Sequence, residues 1–328
     1  MAENIKFTPE ELNKTFVTYR KTFTTLPFKA MSDLLKYTNI ATGIRYREIV
    51  SEMTGKFEMG NYAKDKKKED GTSIKARSFE TFFGNSIDAI DPNRLYQSIW
   101  GSNVISGDGL KNVPIVVQVC ALIVKNIWEN VYLNTFTAKH VDSDTTSTSK
   151  WFNGFCTVID NDIAGTNYSK TVEISEDIGN LQQGEESISE SNAVDVIKDF
   201  FWSSGEHLRG QQLELFCSDL TYHMYTENYQ NLHGSLPYNT SYDKKTLEGA
   251  GNVTFVPLSC VPQDFLLLTP KNNIYCLFNQ KGSEEGYRVE RSLDNHYDVD
   301  VICNAFFGTQ FESVNPKVFR VWKKKAAE

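Results

Sequence analysis

The sequence predicts an α+β protein, with one long helical run, a mixed middle and a strand-rich end. Three observations carry that expectation. One long run of helical periodicity occupies residues 113–138, the chain after residue 250 reads almost entirely as strands, and short helical and extended segments alternate between them. Segregated helices and strands build α+β folds, whereas strict alternation builds a wound parallel sheet. With 328 residues, 40% hydrophobic and 23% charged, the chain has a globular composition and the length for two or three cores.

Residues 8–36 read as helical. Thr8 is placed to cap, Pro9 to occupy the first turn, and Glu10 and Glu11 to meet the positive helix end. Pro27 interrupts the pattern and residues 30–37 resume it. Such modest amphipathicity suits an arm laid on a neighbouring molecule, or an ordinary N-terminal helix. Residues 55–71 turn polar around Lys64-Asp65-Lys66-Lys67-Lys68-Glu69-Asp70-Gly71, an exposed-turn signal. Apolar spacing at 57–62 and 74–83 makes a long two-stranded excursion one reading of this region and a plain surface loop the other.

The longest periodic element is 113–138. Val116, Cys120, Ile123, Ile127 and Val131 share one face, widened by Val119, Leu122 and Trp128, with Asn112 as cap and Pro114 in the first turn. A helix of this length spans roughly 39 Å. Gln118, Lys125, Asn126, Glu129 and Asn130 interrupt it, so it lacks the uncharged run of about 18 residues that a membrane span needs. It is expected as a buried or interface helix, although the β-branched residues at 115–119 also suit a strand.

Residues 140–150 and 179–190 read as polar surface loops, the second acidic. Between them, Trp151-Phe152-Asn153-Gly154-Phe155-Cys156-Thr157-Val158-Ile159 leads to Ile163-Ala164-Gly165. Residues 192–202 read as helix. Leu213-Glu214-Leu215-Phe216-Cys217-Ser218-Asp219 reads as a strand opening into a helix over 220–229. A strand is expected at 252–257. Phe265-Leu266-Leu267-Leu268-Thr269-Pro270-Lys271-Asn272-Asn273-Ile274-Tyr275-Cys276-Leu277-Phe278 reads as a hairpin. Strands at 287–291, 297–303, 306–311 and 317–322 continue to the end.

The chain contains neither Gly-x-Ser-x-Gly nor Gly-x-x-x-x-Gly-Lys. Its six cysteines form no Cys-x-x-Cys pair, and apolar neighbours make buried free thiols the expectation. His223 and His233 do not share a helix face and do not suggest a metal site. Cys217 is a candidate nucleophile at a strand-to-helix turn, with His223 or His207 to activate it. The competing reading has Ser218 or Asp219 capping the helix and Cys217 as a small buried side chain. A net charge of -8 argues against a face that grips phosphates. The N-terminus lacks the apolar stretch of a secretory signal, so a cytoplasmic product is expected.

The order and spacing of the segments after residue 113 resemble the second half of a tailed-phage major capsid protein of the Hong Kong 97 type. The Trp151-to-Gly165 segment resembles that family's helix-forming Phe-x-Gly segment. The strand and helix around Ser218 resemble its axial domain, and the 265–278 segment resembles its axial hairpin. The resemblance implies an N-terminal arm at 1–54, an extended loop at 55–105, and an axial domain at 179–285. A peripheral domain would comprise 106–178 and 286–328, with a spine helix at 113–138. It implies an icosahedral shell around a double-stranded DNA genome, made in the host cytoplasm and residing in the virion. The expected partners are further copies as hexamers and pentamers, separate scaffolding and portal proteins, and DNA enclosed without sequence-specific binding. No membrane, cofactor, metal or catalytic residue is expected. Phe79, Phe82, Phe83 and Trp100 cluster where the extended loop would dock, which makes them candidate intersubunit anchors; a local intrachain core is the other reading. Two rival classes are an encapsulin-like shell holding cargo enzymes and an intracellular cysteine-dependent enzyme built on Cys217.

Overall fold

The structure is a computed structural model that describes residues 25–55, 59, 61–62, 72–90, 115–234, 240–241, 244–279, 286–293, 295 and 298–325. The helix start at Thr8 and Pro9, the charged tip at 64–71, Trp100, Asn112 and Pro114 lie outside them.

In chain order the strands are Asn39–Thr42 (β1), Arg47–Gly55 (β2), Thr72–Glu80 (β3), Phe82–Ile90 (β4), Leu181–Gly184 (β5), Leu213–Ser218 (β6) and Thr240–Ser241 (β7). They continue as Lys244–Leu247 (β8), Ala250–Leu258 (β9), Phe265–Thr269 (β10), Ile274–Phe278 (β11), Tyr287–Arg291 (β12), Val299–Phe311 (β13) and Arg320–Lys324 (β14). The helices are Ser32–Leu35 (α1), Ile115–Asn134 (α2), Phe155–Ala164 (α3), Ala193–Trp202 (α4), Glu206–Arg209 (α5) and Asp219–His233 (α6).

β13 is the axis of a five-stranded sheet. Residues 299–303 pair antiparallel with β12, residues 307–311 with β11 and residues 299–307 with β4, while β1 joins β11 in parallel. The segments expected separately at 297–303 and 306–311 are therefore one continuous strand of 13 residues. The long helix α2 crosses this sheet. Its 20 residues span about 30 Å, and 115–119 are helical. The buried stripe is Val124, Trp128 and Val131; Ile123 and Ile127 are half-buried and Leu122 is exposed. Trp128 sets this rotation. Its indole Nε1 donates to Tyr287 Oη at 3.1 Å, and its ring centroid lies 5.9 Å from those of Phe278 and Phe307.

A second sheet runs β5-β14-β10-β6-β9-β8-β7. It is buried on both faces, which is why its central strands read as unbroken apolar runs. Phe216, Val256, Phe265, Leu267 and Val321 face a core shared with the first sheet, α2 and α3. Leu213, Leu215, Phe255, Leu266 and Leu268 face a second core roofed by α4 and α6. Each fully buried apolar side chain contributes about 1.5–3 kcal/mol.

The expected 265–278 hairpin is absent. β10 is flanked on both edges, by β14 and β6, so no edge is left for β11, which lies in the other sheet. The turn between them redirects the chain. Pro270 precedes the 3-10 turn Lys271–Asn273, and the Asn273 amide donates to Thr269 Oγ1 and to the Ser313 carbonyl, both at 2.9 Å. Sheet membership can be set beside the segments that the resemblance implies. β11 falls inside the expected axial segment yet lies in the five-stranded sheet, whereas β14 falls inside the expected peripheral segment and lies in the seven-stranded one. The acidic stretch at 179–190, expected as a loop, contains β5, which pairs in parallel with β14.

Candidate assembly surfaces

β2 and β3 pair from Arg47↔Glu80 to Gly55↔Thr72 and join neither large sheet. The excursion is thus two-stranded, with its first strand at 47–55; half of the segment expected at 57–62 lies outside the described residues. A lone pair of strands is marginal in water, so this ribbon depends on what lies against it. Opposed residues share a face, which puts Ile49, Met53 and Ile74 together. They are 54%, 69% and 64% exposed. The other face turns inward at the ribbon's root: Phe79 is buried with Ile44 and Leu277, its ring 5.4 Å from that of Tyr275.

The root is held by close backbone contact. Thr81 N donates to the Tyr46 carbonyl at 2.8 Å, and Tyr46 N donates to Thr81 Oγ1 at 3.0 Å. β13 passes so near that a Cβ on Gly308 would lie 2.1 Å from the Glu80 carbonyl oxygen, so only glycine fits there. Arg77, also buried, reaches into the body from the inner face of β3.

A second apolar surface lies on the outer face of β4 and β13. Phe83 and Ile87 are exposed and stand opposite Phe306 and Ile302. The Phe83 and Phe306 rings are 5.0 Å apart, and exposed Tyr46 meets Phe306 edge-on at 5.4 Å. Of the four anchor candidates, the structure places Phe79 inside the subunit. Phe82 is half-buried, on the core side of the same strand, with its ring 4.3 Å from His140. Phe83 faces solvent. Trp100 lies outside the described residues. Tyr46, Ile49, Met53, Ile74 and Ile87 were missed. Period-two spacing of Ile49 and Met53 was the available signal, weakened by Ser51 between them.

Cys217 is fully buried in the second core, and burial, reinforced by Asp219, pushes its thiol far above the usual range. This is the setting of an inert thiol, opposite to that of a nucleophile. Ser218 Oγ accepts from Thr221 N at 2.9 Å, so the capping reading holds. Cys260, Cys276 and Cys303 are buried too, and Cys156 is half-buried with its thiol pushed up to about 12 by burial. Among the described residues, no cluster of three or more His, Cys, Asp or Glu is placed to hold a metal, and no helix is long and apolar enough to cross a membrane.

Two stacked sheets, a crossing helix and a projecting ribbon make up the Hong Kong 97-type capsid fold. No protein-family model matches the chain, and no curated protein matches it. Among solved structures, it is similar to a chain of the satellite phage P4 procapsid at 13% identity and a TM-score of 0.54, covering 93% of this chain and 99% of that one. It is also similar to the capsid asymmetric unit of cyanophage A-1(L), at 10% identity and a TM-score of 0.59, with 90% and 92% covered. A third likeness is to the holo-SrpI encapsulin complex from Synechococcus elongatus PCC 7942, at 11% identity and a TM-score of 0.52, with 90% of each chain covered. At such identities the likeness is one of fold.

Proposed function

We propose that this chain is the structural subunit of an icosahedral shell enclosing a double-stranded DNA genome, a major capsid protein of a tailed phage that resides in the virion. The ribbon carries this reading. A two-stranded projection with Ile49, Met53 and Ile74 on an uncovered face is marginal by itself, and a neighbouring copy would supply the missing layer. The ribbon is then the extended loop and α2 the spine helix. The five-stranded sheet forms the peripheral region, and the seven-stranded sheet with α4 and α6 forms the axial region. Phe83, Ile87 and Tyr46 are the intersubunit contacts on the body.

The subunit acts by repetition and not by chemistry. Copies close as hexamers and pentamers through apolar contacts, with separate scaffolding and portal proteins directing assembly. A chain with net charge -8 contains DNA without neutralising it, and no sequence is read. The likeness to an encapsulin complex supports a second reading, a shell that holds protein cargo. Negative-stain electron microscopy with sedimentation tests both. Closed shells, rings or tubes are expected, and a strictly monomeric chain under every condition overturns the shell. Nuclease-protected DNA in particles from producing cells marks a genome shell; co-purifying enzyme without DNA marks a cargo shell.

A further inference from the structure

Where the ribbon leaves the body, one guanidinium ties it to three other parts of the chain. Arg77 of β3 donates to Asp162 Oδ2 in α3 at 2.8 Å and to the Glu173 carboxylate beyond it. It also donates to the Phe311 carbonyl at 3.2 Å and to Gln310 Oε1 at 3.1 Å, both in β13. All three charged groups are buried. The carboxylates are themselves positioned: Asn167 Nδ2 donates to Asp162 Oδ1 at 3.0 Å, Ser169 Oγ to Glu173 Oε1 at 3.1 Å, and Glu173 N to the Asp162 carbonyl at 3.0 Å. Residues 162–173 thus form a strap across the ribbon's root. Outside it, the Arg47 guanidinium pairs with Glu80 and lies 4.8 Å over the Tyr168 ring.

The cluster is not a simple source of stability. Two carboxylates face one guanidinium. Burial, the larger effect, holds the Glu173 carboxyl above its usual range, with Arg77 opposing and Asp162 reinforcing. Removing such charges from water costs about as much as their pairing returns, so a buried ion cluster selects a geometry more than it adds stability. Opening it returns all three groups to water. Among the described residues, the ribbon's other side-chain holds are the small cluster of Phe79, Ile44 and Leu277, the Arg47–Tyr168 stack and the bond from Gln310 Nε2 to the Ser78 carbonyl at 2.9 Å.

We propose that Arg77, Asp162 and Glu173 form a latch that fixes the angle of the ribbon against the body, and that opens when the ribbon gains contacts elsewhere. Latched and released positions lie close in free energy because desolvation and pairing offset each other. Burial of Ile49, Met53 and Ile74 on a second copy is then enough to open it. That consequence rests on the shell reading; the latch itself does not.

The test uses unassembled subunits bearing spin labels on a ketone-containing amino acid at Met53, on the ribbon, and Lys125, on α2. One narrow distance distribution is expected for the native chain, at least twofold broader in Arg77→Ala and intermediate in Arg77→Lys, with helix content unchanged. A distribution in Arg77→Ala as narrow as the native one overturns the latch. If Arg77→Ala does not fold, Glu173→Ala takes its place, and a native-width distribution there overturns it equally. Shell formation is scored separately on unlabelled chains, native and carrying the same Arg77 substitutions. A released ribbon without shells in any condition keeps the latch and removes the shell reading; shells with an unmoved ribbon do the reverse.

Discussion

Leu267 and Leu268 are adjacent in sequence, both fully buried, and face different cores. Leu267 stands opposite Phe216 and packs with the five-stranded sheet, whereas Leu268 stands opposite Leu215 and packs under α4 and α6. β10 is therefore a wall common to both cores, and it couples them.

That coupling predicts a single unfolding transition. Leu267→Ala and Leu268→Ala are each expected to cost about 2–5 kcal/mol. Both should lower the urea midpoint of near-ultraviolet and far-ultraviolet signals together. A separate early step in Leu268→Ala alone would show that the second core unfolds independently.

Phe79 and Phe83 should behave oppositely although they lie close in sequence. Phe79→Ala is expected to destabilise the isolated subunit by about 3–5 kcal/mol, as a core truncation does. Phe83→Ser with Ile87→Ser should change subunit stability by no more than about 0.5 kcal/mol, as surface changes do, yet abolish particles. Thermal melts paired with sedimentation separate the two. Normal particles from the double variant would remove this face from the interface.

Cys217 should resist thiol reagents at neutral pH in the folded chain and react fully in denaturant. Mass spectrometry of alkylated peptides gives the site directly. Stoichiometric native labelling would reopen the enzyme reading.

Ser218→Ala should cost about 1 kcal/mol by removing the acceptor of the Thr221 amide, and Ser218→Gly only a few tenths. Chemical denaturation of the two variants makes the comparison, and equal losses would show that the hydroxyl acts through Thr221 Oγ1 at 2.8 Å instead.

Glu214 introduces a pH dependence. Burial raises its carboxyl from 4.5 to about 7, with Lys271 opposing, and its Oε2 has no hydrogen-bond partner among the described residues. The folded state then holds the proton more tightly than the unfolded one, so this residue's contribution to stability falls as pH rises from about 4.5 through about 7. Glu214→Gln should therefore gain stability relative to the native chain more at pH 8 than at pH 5. An equal effect at both, in denaturant titrations, would contradict the shift.

Much of the local structure was legible. Periodicity located α2, α4 and α6, and the Ser218 cap followed from residue type and position. The Trp151-to-Gly165 segment, helix-forming by its resemblance, holds α3, which ends at Gly165 as a left-handed C-cap at φ 64°. The surface was less legible, because an exposed apolar residue in a strand carries the same signature as a buried one. Phe79, Phe82 and Phe83 are alike in sequence, and which way each side chain points follows from the pairing of β3 with β2 and of β4 with β13.

The sequence by itself determined the long helix, the helices at 193–202 and 219–233, the central apolar strands and the burial of Cys217, Cys260, Cys276 and Cys303, because these depend on residues a few positions apart. Only the tertiary structure decided that β10 and β11 part into different sheets, and that Arg77 meets Asp162 and Glu173, 85 and 96 residues away. The physical reason is that alternation specifies which face of a strand is apolar, whereas its edge hydrogen bonds are alike for every residue. Which edge is joined, and which charge enters the core, follows from what the rest of the chain brings alongside.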